Sequence, residues 1–165
     1  MTALQPRTRE AVLQIAAWQL GVLESPAGSN QVKYNEAFYG RQVSGPAYPW
    51  CMVFLWWVFR EAGFSLYKTA SCTVLRSRYQ AAGQWVTEGY RPGDILLFDF
   101  SGKRSRTEHA GLLEQIEADG TLVTIEGNTG STNDANGGAV QRRWRRPSLV
   151  TGACRPGYNT TLPLK

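Results

Sequence analysis

The chain has 165 residues, 42% hydrophobic, 12% aromatic and 19% charged, the composition of one compact domain with material for a real core; disorder, collagen and coiled coil are excluded. No apolar run reaches the roughly 18 to 20 residues that cross a bilayer, and no long apolar stretch follows the charges of Met1 to Glu10, so neither an anchor nor a signal peptide is expected. Eighteen Lys and Arg against thirteen Asp and Glu leave a net charge of +5, partly clustered in Lys103-Arg104-Ser105-Arg106 and in Arg142-Arg143-Trp144-Arg145-Arg146. Nucleic acid, acidic phospholipid and the teichoic polymers of a bacterial wall all suit such a surface, and solvated basic strands and loops account for it equally well.

The first apolar pattern, Glu10 to Leu20, carries Val12, Leu13, Ala16, Ala17 and Leu20 at helical spacing, with Gly21 as its stop. Ser25 to Trp50 is rich in Pro, Gly, Asn and Tyr and predicts a long ordered loop holding one short helix. Pro49 opens a second helix, apolar almost all round from Met52 to Phe59 and ended by Gly63, with Cys51 in its first turn. A more polar helix follows over Thr73 to Ala82. Beyond Arg91-Pro92-Gly93-Asp94 the pattern turns to strands at Ile95–Phe100, His109–Glu117 and Thr121–Asn128, the last two joined by a hairpin at Asp119-Gly120. A Gly and Asn loop, Thr129 to Gly138, leads to a strand at Ala139–Arg145. Helices first and an antiparallel sheet after them make an α+β fold, a single domain over residues 1–158 with 159–165 as a tail or the start of a linker.

Three cysteines, Cys51, Cys72 and Cys154, lie far apart without a Cys-x-x-Cys. Their odd number leaves a free thiol and suits a reducing compartment. With His109 they formally make four zinc ligands, but structural zinc sites usually draw two ligands from one tight turn, so no metal is expected.

His109 is the chain's one histidine. In a cysteine hydrolase it must be the general base, for want of another. Cys51, in the first turn of a buried helix, sits at the positive end of the helix dipole. That end favours thiolate, and its N–H groups can receive an oxyanion; a small buried hydrophobe is the plain alternative. If Asp119-Gly120 is a two-residue turn, Gly111 faces Asn128 and Leu113 faces Glu126, so His109, Glu126 and Asn128 share one sheet face. Asn128 is then the diagonal neighbour of His109 across a glycine, and Glu126 lies one step further. A bulged three-residue turn shifts this register, so either residue can accept the imidazole's hydrogen bond.

Four blocks in order, YPWCMVFLWWVFREAG, RPGDILLFDF, HAGLLEQI and TIEGNT, resemble the CHAP domain, the cysteine, histidine-dependent amidohydrolases and peptidases of the papain-like clan. The resemblance spans Leu4 to Tyr158. It implies a papain-like fold with Cys51 as nucleophile, His109 as base and acid, and Glu126 and Asn128 as the groups that hold the imidazole. It also implies a bacterial peptidoglycan hydrolase, either an N-acetylmuramoyl-L-alanine amidase or an endopeptidase. GSNQVKYNEAFYG before YPWC resembles CHAP proteins of phages and prophages of Gram-positive bacteria. The absence of a signal peptide then fits an endolysin that stays in the host cytoplasm until a holin opens the membrane.

Some CHAP domains bind calcium through acidic residues around the cysteine, but Phe38 to Arg60 has no Asp or Glu, so no calcium and no other cofactor is expected. The expected partner is Gram-positive peptidoglycan, with anionic wall polymers as a further possibility for the basic surface. Neither nucleic acid nor membrane insertion is expected, and the chain is taken as a monomer. Trp50, Tyr48 and Trp144 are candidates for a substrate groove, against the plain alternative of packing residues. The competing functional readings are an inactive CHAP-like wall-binding module and a nucleic-acid-binding protein.

Overall fold

A computed structural model describes residue 4 and residues 6–159. Four helices precede the main sheet: α1 (Arg9–Ala17), α2 (Lys33–Tyr39), α3 (Cys51–Glu61) and α4 (Cys72–Ala81). The Thr8 hydroxyl caps α1 and the Ser71 hydroxyl caps α4, each accepting a backbone N–H three residues on, which satisfies a donor that the helix leaves free. The first helix is shorter than its apolar spacing predicts. After Ala17 the chain tightens into i to i−3 bonds from Gln19 to Ala16 and from Leu20 to Ala17. The short helix expected within the long loop is α2, ended by Gly40 in the left-handed region.

The strands are β1 (Trp85–Val86), β2 (Ile95–Phe98), β3 (His109–Ile116), β4 (Leu122–Thr129), β5 (Ala139–Arg145) and β6 (Val150–Cys154). They form one antiparallel sheet in the order β1-β6-β2-β3-β4-β5. The final strand therefore returns to lie between β1 and β2; neither β1 nor β6 was expected. On one sheet face Ile95, Leu97, Ala110, Leu112, Ile125 and Val140 pack against α1 and α3, whose Val12, Val53, Phe54 and Val58 are wholly buried. On the other, Leu96, Phe98, Leu113, Leu122, Val150 and Ala153 form a smaller cluster with Tyr90 and Phe100. The sheet is thus covered on both faces around β2 and β3. Among the described residues, no helix is long and apolar enough to cross a membrane. Of the expected tail, residues 160–165 lie outside the described residues.

The β3–β4 hairpin corrects the register. Its turn is not the two residues Asp119-Gly120: Gly120 N–H bonds the Glu117 carbonyl and Glu117 N–H bonds the Thr121 carbonyl. This is a three-residue loop with Gly120 at φ +88°, the left-handed position such loops need. A bulge between Leu113 and Gln115 shifts the ladder once more, so that Leu113 pairs Thr124 and Leu112 pairs Ile125. Two shifts of one residue restore the alternation, so side chains keep their faces while their partners move by two.

The basic clusters are largely engaged within the chain. Arg142 forms a bidentate pair with Glu114 at 2.6 and 2.8 Å, Arg143 bonds Asp134 at 2.6 Å, and Arg145 is buried. In the other cluster, Arg104 donates to the Val150 and Thr87 carbonyls and Arg106 faces Asp99 and Glu108.

Candidate active site

Cys51 is the first residue of α3, and the first intrahelical bond runs from Phe54 N–H to the Trp50 carbonyl. The N–H groups of Cys51, Met52 and Val53 therefore point out of the helix end without helical acceptors. No acidic residue occupies the first turn, so nothing there offsets the positive end of the dipole. His109 opens β3, opposite Phe98, and is fully buried against the rings of Phe98 and Phe100.

The His109 ring is held by Glu126, whose Oε2 lies 2.8 Å from Nε2. The register explains why. With Leu112 opposite Ile125, the next position outward sets Glu126 across from Gly111, diagonal to His109. A Cβ on Gly111 would lie 2.8 Å from the Glu126 Cγ, so this glycine provides the space through which the carboxylate reaches the ring. Asn128 does not hold the imidazole: its Nδ2 donates to Asn136 and its Oδ1 accepts the Gly138 N–H. At φ +54°, a conformation asparagine tolerates, it closes the 129–138 loop instead. Of the two candidate orienting residues, the geometry brings Glu126 to His109 and sends Asn128 to the loop.

The charges reinforce one another. The Cys51 sulfur is held well below the ordinary thiol range, first by a hydrogen bond from the Cys72 thiol; burial opposes this, and His109 and the Ala110 N–H add to it. Burial pushes His109 down, but Cys51 and Glu126 outweigh it and set the ring at about 9. Burial likewise pushes Glu126 up, and Arg145 and His109 bring it to about 2. These shifts favour a thiolate and imidazolium pair backed by a carboxylate, the kind of arrangement that nucleophilic catalysis by a cysteine requires. Nδ1 of His109 is buried and makes no hydrogen bond of standard geometry; with Nε2 taken by Glu126, it is the nitrogen left for Cys51.

Cys72 is raised well above the ordinary thiol range, chiefly by its hydrogen bond to Cys51, and burial raises Cys154 to about 12. At pH 7 a small alkylating reagent is accordingly expected to label Cys51 alone, as read by peptide mass spectrometry. Equal labelling of all three cysteines would contradict the arrangement.

The three groove candidates fare differently. Trp50 is wholly buried and its Nε1 donates to Glu24 at 3.1 Å, so it is a packing residue and not part of a groove. Trp144 is 61% exposed, but strand alternation points it to the sheet face opposite Arg143 and Arg145, away from Glu126 and His109. Tyr48 is half-buried with its ring 5.0 Å from that of Tyr39.

The residue that sequence reasoning passed over is Arg145. It was read as part of a basic surface run, yet it donates to both Glu126 oxygens, at 2.9 and 2.7 Å. Its signal was strand alternation, which puts Arg143 and Arg145 on one face of β5 and Arg142 on the other, so the basic run could not all lie on one solvent-facing side.

The CHAP domain model matches residues 43–128, a span holding Cys51, His109, Glu126 and Asn128. Among curated proteins no sequence matches the chain. The fold is similar to the crystal structure of the wild-type endolysin LysIME-EF1, with a TM-score of 0.57 and 15% identity over 92% of this chain and 65% of that one. It is also similar to the crystal structure of Ly7917, with a TM-score of 0.53 and 18% identity over 90% of this chain and 62% of that one. The chain therefore spans a little under two thirds of the length of each solved structure. With half of its residues matched by the family model and an α+β fold shared with these structures, the chain belongs to the CHAP domain family.

Proposed function

We propose that the protein is a peptidoglycan hydrolase of the endolysin kind, cleaving an amide bond of the Gram-positive wall by cysteine nucleophilic catalysis. The observation that carries this reading is Cys51 at the N-terminus of α3, its sulfur held well below the ordinary thiol range, beside a histidine whose other nitrogen is fixed by Glu126. Family membership and the fold shared with an endolysin support it. In this reading residues 1–158 are one catalytic domain, acting as a monomer and held in the host cytoplasm until it reaches the wall.

The Cys51 sulfur attacks the amide carbonyl, and the Cys51 N–H at the helix end donates to the oxyanion. His109 protonates the leaving amine, then takes a proton from water as that water attacks the thioester and frees Cys51. The test is mass spectrometry of soluble fragments released from purified Gram-positive peptidoglycan. Intact stem peptides beginning with L-alanine identify an amidase, and a new terminus within the stem or cross-bridge identifies an endopeptidase. No release from any of several wall chemotypes overturns the reading.

Since turnover needs His109 protonated beside the thiolate, the alkaline limb of kcat/KM is expected near pH 9, where the ring loses its proton. A pH-rate series on labelled wall checks this. Gly111→Ala is expected to displace Glu126 and lower kcat by about 10²-fold, with a circular dichroism spectrum like the wild type's. Undiminished turnover in that variant would show that the contact with Gly111 does not set the carboxylate.

A further inference from the structure

Arg145 lies at the end of β5, only 5% exposed, and every polar arm of its guanidinium is engaged. Nε donates to Glu126 Oε1 at 2.9 Å, Nη2 to Glu126 Oε2 at 2.7 Å and Nη1 to Asp134 Oδ1 at 2.7 Å. Its plane lies over Phe98 and Phe100, 5.6 and 4.9 Å from the ring centroids, the same rings that pack on His109. Thr124 adds a hydroxyl donor to Glu126 Oε1 at 2.6 Å. The buried groups thus alternate in sign along a row: Cys51, His109, Glu126, Arg145, with the half-exposed Asp134 at its outer end.

We infer that Arg145 is a positioning residue of this site: its fork fixes the Glu126 carboxylate, and so holds His109 with Nε2 on Glu126 and Nδ1 toward Cys51. The inference rests on the reading of Cys51 and His109 as nucleophile and base. The physical argument is one of proton placement. An ionised carboxylate accepts only, so Glu126 forces the neutral ring to carry its proton on Nε2 and leaves Nδ1 as the acceptor a base needs. Once the ring is neutral, as when it acts as a base, Glu126 without Arg145 would be a buried carboxylate with one hydroxyl and that ring for partners. Such a group takes up a proton. It then donates to Nε2, the ring proton moves to Nδ1, and the nitrogen facing Cys51 becomes a donor.

The test uses the fact that the chain has one histidine, so 15N-histidine NMR reports a single ring. In a Cys51→Ser background, at a pH where the ring is neutral, the protein with Arg145 intact is expected to hold the Nε2–H tautomer. Arg145→Met is expected to make Nδ1–H the major form and, with Cys51 in place, to lower kcat on labelled peptidoglycan by about 10²-fold. Arg145→Lys keeps the charge but not the fork, and is expected to fall between the two in both measurements. An Arg145→Met protein that keeps the Nε2–H ring overturns the inference, even if its melting temperature drops. If the methionine variant does not fold, Arg145→Lys decides, and identity with the wild type in tautomer and kcat overturns it. The tautomer is read without substrate, so failure of the wild type to cleave peptidoglycan overturns the functional reading alone.

Discussion

Cys51→Ala is expected to lower release of peptidoglycan fragments by about 10⁴-fold or more, with the fold intact. Deleting one sulfur from the N-terminus of α3 removes the nucleophile and leaves the capped helices and both apolar clusters in place. A second, independent readout accompanies it. The His109 ring is set at about 9 against the pull of burial by its two anionic neighbours, Cys51 and Glu126. With the thiolate gone only the carboxylate remains, so the NMR titration midpoint of the ring is expected to fall below its wild-type value. Wild-type turnover from a folded, homogeneous Cys51→Ala preparation would sink the catalytic assignment. An unmoved His109 midpoint would show that thiolate and ring are not paired.

Glu126→Gln carries the largest expected loss of stability. Both partners, His109 and Arg145, are buried with it, and a neutral amide leaves the guanidinium facing a protonated ring without the anion between them. Breaking a buried charge pair in this way costs about 3–5 kcal/mol, or about 10 °C in Tm for a chain of this size. The sign of the pH dependence follows from the direction of the shift. Glu126 is lowered to about 2, below the roughly 4.3 of an unfolded chain. Its contribution is therefore complete above the unfolded value and lost as pH falls through about 2. The Tm difference between wild type and Glu126→Gln should be full at pH 6 to 7 and shrink below about pH 4. A difference that does not change with pH would mean that packing, not charge, is what the carboxylate supplies. The variant should also bring the alkaline limb of activity down, since one of the two groups holding the imidazolium is gone.

The site's principal residues were legible because their chemistry and their local structure coincide. Cys51 stands where a long apolar helix begins, and His109 has no rival of its type. The pairing of His109 was only half legible. Alternation places Glu126 and Asn128 on one face together, but whether that face is the histidine's, and which of the two reaches the ring, depends on counting residues through the hairpin. Gly120 in the left-handed position and the bulge at Leu113 to Gln115 each moved that count by one, and neither leaves a clear mark in the sequence. β6 escaped notice for a different reason. Val150-Thr-Gly-Ala-Cys154 is buried at every position, so it lacks the polar alternation of a half-exposed strand, and its glycine reads as a turn. Arg145 escaped because an arginine among arginines reads as solvent-facing charge until the sheet pairs β5 with β4 and sets it against Glu126.

β5 is also the last strand of its sheet. The segment around Val22 and Leu23 hydrogen-bonds its first residues, Ala139 and Val140, while among the described residues no strand lies beyond Gln141–Arg145. An open edge of this kind is a template on which a second chain can add its own strand, the first step of aggregation. Arg142 opposes this: it lies on the face opposite the inward-turned, buried Arg145, and its guanidinium, paired with Glu114, sets a charged group beside this edge. The same short run of sequence that turns one arginine inward toward the histidine's carboxylate therefore turns another outward to guard the edge of the sheet.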